Sequence, residues 1–386
     1  MLIAADLHLL YLFVLVLTGF LSSYAVVAAI RKWALRRNLL DIPNERSSHT
    51  VPTPRGGGLA IALITLIGFA FTHLWLHDLA LAPFLGYMLA GIIILAISGA
   101  DDILEISPKV RLLFQLLAAI IFVGLAGFAT RVYLPFVGEL DWRLLGIPIT
   151  VIWLVGLTNA YNFMDGIDGL AAGQAIVAGG FWLAVALLLG ASDLAGLAAL
   201  LVGSSLGFLL HNTPPARIFM GDVGSTVLGY TFATIPILAF GQTGNPRMPI
   251  LGLLCIAPFA FDAGLTVVRR TLNREDILRP HRTHLYQRLV GSGRNHAQVT
   301  CLYVAIAFSS SLMGIIYLRG DDLASLAALT VVALLMVGVA LGTAQVEHLA
   351  IKKRCELTSP STSPGLMMQN VGRAKDSALP HSREPQ

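Results

Sequence analysis

Long apolar runs dominate this 386-residue chain and constrain its fold more than any other feature. A membrane-spanning helix needs about 20 consecutive, mostly apolar residues. Eleven such runs occur in the sequence: 7–30, 57–76, 80–99, 112–130, 144–160, 170–190, 194–211, 223–241, 248–268, 299–318 and 322–346. They predict an all-α polytopic membrane protein with about eleven transmembrane helices.

The composition agrees with this fold class. Hydrophobic residues make up 56% of the chain and charged residues only 12%, whereas a soluble domain has about 25% charged residues. No hydrophilic stretch is long enough to fold as a second domain, so residues 1–350 are predicted to form one integral membrane domain. The segment 356–386 is rich in Ser and Pro without periodicity, which predicts a disordered tail.

The distribution of Lys and Arg predicts the orientation in the membrane. Alternate connecting segments carry 22 of the 26 basic residues, and an excess of Lys and Arg marks the cytoplasmic side. With an odd number of spans, the N-terminus is then outside and the C-terminus cytoplasmic. The segments assigned to the cytoplasm are 31–56, 100–111, 161–169, 212–222, 269–298 and the tail.

These cytoplasmic segments also carry the polar motifs. In chain order they read "DIPNERSSHTVPTPRGGG", "GADDILEISPK", "NAYNFMDGIDG", "HNTPPARIFMGDVGS" and "RRTLNREDILRPHRTHLYQRL". Mg²⁺ prefers one or two carboxylates together with phosphate oxygens and water, so we expect Mg²⁺, with Mn²⁺ as the alternative ion. The carboxylates next to apolar helix ends are Asp101, Asp102, Asp165, Asp168 and Asp222.

Basic side chains in the first and last of these segments complement the carboxylates. Arg can grip a phosphate bidentately, and His can donate a hydrogen bond to it. Carboxylates for a metal beside cations for a diphosphate are typical of phosphoryl transfer, in which catalysis is mostly positioning and charge stabilisation. The pattern predicts a site for a Mg²⁺-bound nucleotide at the cytoplasmic interface.

Two acidic features stay open at this stage. The pair Asp101 and Asp102, taken alone, is equally compatible with a solvated loop. Asp262 lies about seven residues, or ~10 Å of helix, inside the span from Arg269. An ionisable group in that position marks function by default, but a structural pairing with a neighbouring helix explains it as well.

Taken together, four ordered motifs resemble the polyprenyl-phosphate N-acetylhexosamine-1-phosphate transferase family. They are the Asp-Asp pair after the third span, "NAYNFMDGIDGLA", "NTPPARIFMGDVGS" and "HRTHL", and the resemblance extends to about residue 350. The span count and the cytoplasmic tail fit the bacterial N-acetylhexosamine branch better than the ten-span peptidoglycan branch. The loop "DIPNERSSHTVPTPRGGG" looks most like enzymes that start O-antigen chains, including those that accept N-acetylfucosamine or N-acetylquinovosamine. The peptidoglycan branch has three consecutive histidines where this chain has "HRTH", so a muramoyl-pentapeptide substrate is not expected.

The resemblance implies a reaction. The phosphate of undecaprenyl phosphate attacks the β-phosphorus of a UDP-N-acetylhexosamine, giving undecaprenyl-diphospho-sugar and UMP. It also implies a multi-pass protein in the bilayer of the bacterial inner membrane, with a cytoplasmic active site and no nucleic-acid partner. Direct attack and a covalent intermediate on Asp101 are both open, and direct attack is favoured because a phosphate monoester is already a good nucleophile. The choice of UDP-sugar and a homodimeric state also stay open.

Residue roles follow from the resemblance, beginning with the acidic end of the site. Asp222 resembles the principal Mg²⁺ ligand, and Asp102 a residue close to the metal. Asp101 resembles the residue that deprotonates or orients the lipid phosphate. Asn162 and Asp165 resemble the pair at the diphosphate and sugar.

The remaining roles concern substrate binding. Asp168 and Phe219 resemble a uracil-binding pair, with the ring of Phe219 for stacking and the carboxylate of Asp168 for hydrogen bonding. Asn212 resembles a nucleotide-site amide. The basic residues expected to bind substrate are His281, Arg282, His284, Arg46, His49 and Arg55.

Two other classes of protein share some of these features. A secondary transporter is also polytopic and carries intramembrane carboxylates, but its site lies near the bilayer midplane, where only Asp262 is a candidate. An inactive membrane scaffold of the same fold is the second alternative. UMP release from a UDP-sugar separates both from a transferase.

Overall fold

The computed structural model describes residues 2–38, 40–43, 51–104, 106–276 and 281–358. Within them, ten helices are long and apolar enough to span a membrane, and one bent pair also qualifies when it is taken as one span. The predicted all-α polytopic class is confirmed. The helices are α1 Leu2–Arg36, α2 Gly58–Leu76, α3 Leu81–Leu104, α4 Pro108–Ala126, α5 Gly146–Phe163, α6 Leu170–Leu189, α7 Ser192–Asn212, α8 Asp222–Thr243, α9 Met248–Cys255, α10 Ala257–Leu272, α11 Leu285–Gly291, α12 His296–Arg319 and α13 Asp322–Thr358.

The run 248–268 is not a straight span. It consists of α9 and α10, whose axes differ by 82°. Pro258 lies in the first turn of α10, where its missing N–H is tolerated, whereas a continuous helix through this position would lose a hydrogen bond and clash with the proline ring. The run predicted as one span is thus a bent pair of helices, and the bend turns α10 away from the direction of α9.

Several helices extend beyond the predicted apolar runs, always into the polar segments. Helix α3 continues through Asp101 and Asp102, and α5 continues through Asn162. Helix α4 begins at Pro108 and therefore contains Arg111. Hydropathy detects the lipid-facing part of a helix, but polar side chains that bind each other allow the helix to continue. The predicted loops 100–111 and 161–169 are correspondingly shorter.

The last two polar segments also contain more helix than predicted. Helix α10 extends to Leu272, and the short helix α11 lies inside the predicted loop 269–298. Helix α13 runs to Thr358 and so includes residues 356–358 of the predicted tail, whose disorder stays a prediction. The rest of the predicted tail lies outside the described residues.

Four short strands accompany the helices. β1 (Leu40–Asp41) pairs antiparallel with β2 (Thr53–Pro54) ahead of α2. β3 (Arg131–Leu134) and β4 (Gly138–Asp141) form a hairpin between α4 and α5. These strands are too short to leave a periodic signal in the sequence.

Helix α8 forms the centre of the bundle, where it packs against α2, α3, α5 and α9. Every residue of its apolar window is buried. Its first turn touches the start of α2 so closely that a Cβ at Gly58 would overlap the backbone of Gly224. The central helix therefore begins at Asp222, among the ends of its neighbours.

Candidate functional site

Backbone hydrogen bonds join the first polar motif to the fourth. The N–H of Gly57 donates to the carbonyl of Phe219 at 3.0 Å, and that of Gly58 to the carbonyl of Met220 at 2.8 Å. In return, the N–H of Phe219 donates to the carbonyl of Pro54 at 2.8 Å. The segment "PTPRGGG" is thereby fixed alongside "IFMGD", immediately before α8.

Asp102 caps the start of α8 from a neighbouring helix. Its two carboxylate oxygens accept the N–H groups of Asp222 at 3.1 Å and Val223 at 3.2 Å. These are two of the N–H groups that a helix start leaves without a partner, and a negative charge is favourable there. Arg55 donates to the backbone carbonyl of Asp102 at 2.6 Å. Asp102 therefore helps to fix the start of α8, and its contact with a metal ion stays a prediction.

Arg111 bridges the predicted catalytic carboxylate of Asp101 and the predicted metal ligand Asp222. Its Nη1 lies 2.5 Å from Asp101 Oδ2 and 2.9 Å from Asp222 Oδ2. The other oxygen of Asp101 accepts the N–H of Ile106 at 2.7 Å. A buried carboxylate requires such compensation. The sequence analysis missed Arg111 because it stands one residue before an apolar run and was counted only as a topological charge.

Asn162 holds the second oxygen of Asp222. Its Nδ2 donates to Asp222 Oδ1 at 3.0 Å and to the hydroxyl of buried Ser225 at 2.9 Å. One turn earlier in α5, the side-chain amide of Asn159 pairs with that of Gln115 in α4. The carboxylate of Asp222 is therefore oriented from both sides, by Arg111 and by Asn162.

Asp165 follows the end of α5 and lacks comparable compensation. It is half-buried, and burial raises its carboxyl pKa well above the usual value, with further contributions from Asp222, Asp102 and Asp168. The charges that act on it are thus all negative, which is the environment that a cation relieves.

Asp168 lies in the same loop but faces a different segment. No helical turn continues through Gly166, so Asp165 and Asp168 do not share a helix face. Asp168 Oδ2 accepts the N–H of Ala216 at 3.0 Å and lies 3.3 Å from His296 Nδ1. The loop therefore presents its two carboxylates to two different neighbours, and sequence reasoning missed His296.

Asn212 joins two loops of the site. Its Oδ1 accepts the N–H of Gly169 at 2.8 Å, and its Nδ2 donates to the carbonyl of Ile218 at 2.9 Å. The residue is 3% exposed. Asn212 therefore helps to shape both loops, and its contact with a nucleotide stays a prediction. The ring of Phe219, two residues before Gly221, is half-buried.

The "HRTHL" segment packs beside the loop that follows α5. His281 Nδ1 lies 3.0 Å from the hydroxyl of Thr283, and burial, aided by His284, lowers the pKa of His281 to about 4. His281 is therefore neutral at pH 7. The ring of His284 is buried 5.0 Å from that of His281, and the Arg282 side chain is exposed.

The predicted carboxylates of Asp101, Asp102 and Asp222 thus meet at the start of α8 together with Asn162 and Arg55, and the ring of His284 lies beside the end of α5. Arg46 and His49 lie outside the described residues. Among the residues that are described, no group of three or more His, Cys, Asp or Glu side chains forms a closed metal site. The hard oxygen ligands at Asp222 and Asp165 nevertheless fit an ion whose coordination is completed by substrate phosphates and water, as Mg²⁺ prefers.

Known proteins resemble this chain over most of its length. Residues 84–240 match the family described as glycosyl transferase family 4. The probable undecaprenyl-phosphate N-acetylglucosaminyl 1-phosphate transferase of Bacillus subtilis (strain 168) is 30% identical over 314 residues, which cover 81% of this chain and 86% of that protein. The decaprenyl-phosphate N-acetylglucosaminephosphotransferase of Mycobacterium tuberculosis (strain ATCC 25618 / H37Rv) is 30% identical over 355 residues, with coverage of 82% and 86%.

A third relative extends the comparison. The undecaprenyl-phosphate alpha-N-acetylglucosaminyl 1-phosphate transferase of Yersinia pestis is 27% identical over 317 residues, which cover 79% of this chain and 83% of that protein. The family match over residues 84–240 includes the Asp-Asp pair, "NAYNFMDGIDGLA" and "NTPPARIFMGDVGS". The chain therefore belongs to the polyprenyl-phosphate N-acetylhexosamine-1-phosphate transferase family, the one that its motifs predict.

Proposed function

We propose that this protein transfers an N-acetylhexosamine 1-phosphate from a UDP-sugar to undecaprenyl phosphate. An oxygen of the lipid phosphate forms a bond to the β-phosphorus of the UDP-sugar. The bond from that phosphorus to the bridging oxygen breaks, and UMP leaves with the electron pair. The relatives' names support the polyprenyl phosphate acceptor and the N-acetylglucosamine class of donor.

One structural observation carries the proposal. The carboxylate of Asp222 is held between Arg111 and Asn162 at the start of the central helix, while Asp165 beside it is surrounded by negative charge. Phosphoryl transfer needs a prearranged set of charges more than it needs covalent chemistry from the protein. This arrangement provides that set at the helix ends, where a membrane lipid can present its phosphate.

The chain's own residues would divide the work. Asp101, oriented by Arg111 and by the N–H of Ile106, is positioned to orient the phosphate of the acceptor. Arg55 and the "HRTHL" segment approach from the other motifs and supply donors for the diphosphate. Asp222 and Asp165 would hold Mg²⁺, which when bound supplies neutralisation of the negative charge on the diphosphate.

The finer parts of the proposal concern location and pathway. The Lys and Arg asymmetry supports a cytoplasmic active site in a bacterial inner membrane. The loop "DIPNERSSHTVPTPRGGG" supports the O-antigen-initiating branch, with an N-acetylglucosamine, N-acetylfucosamine or N-acetylquinovosamine donor. Secondary transport has less support, because Asp262 is already surrounded by donors within the protein.

A reconstituted assay tests the proposal. Purified protein in detergent is given undecaprenyl phosphate, Mg²⁺ and each of the three UDP-sugars in turn, and UMP is quantified. We expect UMP release that requires both the lipid phosphate and Mg²⁺, with one donor clearly preferred. No UMP from any UDP-N-acetylhexosamine would refute the transferase function and favour a scaffold or a transporter.

A further inference from the structure

Asp262 is a buried carboxylate that has no role in the reaction proposed above. It lies in α10 and is 1% exposed. Its Oδ1 accepts the N–H of Leu285 at 2.8 Å and lies 3.2 Å from His284 Nδ1. Its Oδ2 accepts the N–H of Tyr286 at 3.1 Å and the hydroxyl of Tyr303 at 2.7 Å. The charge is therefore satisfied by protein donors.

These contacts determine where α11 begins. Helix α11 has seven residues, and a helix this short is unstable unless other parts of the protein hold it. Asp262 accepts the first N–H groups of α11 from a neighbouring helix, which serves as a cap. The segment that contains His281 and His284 is thereby anchored at its C-terminal end.

The same carboxylate defines the state of the His284 ring. A carboxylate is an acceptor, so a hydrogen bond across this 3.2 Å contact requires the proton of the neutral ring to be on His284 Nδ1. A carboxylate on one ring nitrogen fixes the tautomer and the ring orientation and leaves the other nitrogen available for chemistry. The ring of His284 lies 6.0 Å from that of Phe163, the last residue of α5.

Tyr286 connects this unit to the acidic loop. Its hydroxyl donates to the carbonyl of Phe163, the last residue of α5, at 2.9 Å. Asp165 stands two residues further along the chain. Asp262 thus holds the start of α11 and, through Tyr286, keeps His284 in register with the loop that carries Asp165.

We propose that Asp262 is a positioning residue for the transfer reaction. It fixes the tautomer and orientation of His284, so that Nε2 faces the diphosphate of the nucleotide sugar. This inference rests on the proposed function and extends it. His284 contacts the substrate, and Asp262 acts through His284.

A double-mutant cycle tests this coupling. Asp262→Asn, His284→Gln and the double variant are compared in the UMP assay with wild type. Loss of an outer residue that orients a functional histidine costs about 10–100-fold, so we expect each single variant to lose about that much kcat/KM. If Asp262 acts only through His284, both substitutions remove the same interaction. We therefore expect kcat/KM of the double variant to lie within about threefold of that of the less active single variant.

A second buried His–Asp pair provides the matched control. His73 Nδ1 lies 2.9 Å from Asp193 Oδ2, and that oxygen also accepts the N–H of Leu79 at 2.7 Å. This pair lies at the opposite end of the bundle from the site. Asp193→Asn is expected to lower the melting temperature while leaving kcat and KM within about twofold of wild type, since it changes packing alone.

The possible outcomes distinguish the inference about Asp262 from the proposed transferase function. A loss in the double variant equal to the product of the two single-variant losses would show that Asp262 does not act through His284. If Asp262→Asn does not fold, Asp262→Glu retains the charge and is expected to stay within about tenfold of wild type. A folded Asp262→Glu as inactive as His284→Gln would overturn the inference. No UMP from wild type would refute the proposed function and this inference with it.

Discussion

The hydroxyl of Tyr286 lies directly against Gly166, so that a Cβ at residue 166 would overlap the hydroxyl oxygen. The same hydroxyl donates to the carbonyl of Phe163 at 2.9 Å. Gly166 lies between the two acidic residues of this loop. Asp165 directly precedes it, and Asp168 follows two residues later. Glycine is required here by a neighbouring side chain, and this contact joins the loop after α5 to the start of α11.

The first prediction concerns this contact. Gly166→Ala should displace Tyr286 and the loop that carries Asp165, and UMP release should fall by about 100-fold, as for a misplacement of ~1 Å in an active site. Adding Tyr286→Phe removes the overlapping oxygen, so the double variant should be more active than Gly166→Ala alone. Steady-state UMP release by the two variants checks both expectations.

Gly156→Ala serves as the control for this prediction. A Cβ at Gly156, in α5, would meet open space, and alanine in a helix interior is favourable by about 1 kcal/mol. This variant should retain wild-type turnover and melt at or above the wild-type temperature. Equal activity of Gly166→Ala and Gly156→Ala would show that the loop tolerates the displacement.

The sequence predicted the location of the site because its signals are local. Each motif carboxylate stands next to an apolar run, and the end of a transmembrane helix must lie at the interface. Alternation of sides then places all five segments at one end of the bundle. Contacts such as Arg55 with Asp102 and Asn162 with Asp222 confirm that grouping for the described residues.

The partners within the site could not be predicted in this way. Arg111 and Asp222 are separated by 111 positions in the chain, so only the packing of α4 against its neighbours shows that they meet. The cap that Asp102 forms on α8 likewise depends on the angle between two helices. A hydropathy window also treats 248–268 as continuous, because Pro258 changes the direction of the chain without changing its polarity.

The second prediction concerns the bridge formed by Arg111. Arg111→Gln leaves Asp101 and Asp222 without their cation, so the metal-free protein should lose about 1–3 kcal/mol of stability. Mg²⁺ should then raise the melting temperature more in this variant than in wild type. Arg111→Lys keeps the charge but cannot contact both carboxylates through a planar guanidinium. Its metal-free melting temperature should therefore lie between those of wild type and Arg111→Gln. Thermal melts with and without Mg²⁺ check the order, and an unchanged metal-free melting temperature in Arg111→Gln would contradict it.

The third prediction is the pH dependence of the metal-free protein. Burial and neighbouring carboxylates raise the pKa of Asp165 above its ordinary 3.8, so the folded state binds this proton more tightly than the unfolded state. Stability therefore falls as pH rises from about 4 through the folded-state pKa. Asp165→Asn should remove this decline and raise the melting temperature in EDTA at pH 7. Asp141 is exposed on β4, so Asp141→Asn should leave the fall of stability with rising pH unchanged.

The fourth prediction tests Asp222 as the principal metal ligand. Asp222→Asn should abolish UMP release while membrane insertion and detergent solubility stay normal, because the residue lies at a helix start and not in the packed interior. The helix cap from Asp102 uses backbone N–H groups and is unaffected by this change. Turnover measured across a Mg²⁺ titration is the test. Near-normal turnover at saturating Mg²⁺ would assign the ligand to another residue.

The last prediction separates nucleotide recognition from chemistry within one loop. Asp168 accepts the N–H of Ala216 and lies beside His296, away from the Asp222 carboxylate. A carboxylate that hydrogen-bonds the base makes equal contacts in the ground state and the transition state, so its loss raises KM more than it lowers kcat. Asp168→Asn should weaken UDP-sugar binding by about 1–3 kcal/mol, as for a hydrogen bond to a charged group.

Asp165 is expected to behave in the opposite way. It faces Asp222, where charge rearranges as the diphosphate bond breaks, and interactions specific to the transition state appear in kcat. Asp165→Asn should therefore reduce turnover with little change in KM. Steady-state kinetics with varied UDP-sugar at saturating undecaprenyl phosphate measure both parameters. The same loss of kcat at unchanged KM in both variants would place both carboxylates at the metal, and the division of labour across Gly166 would be wrong.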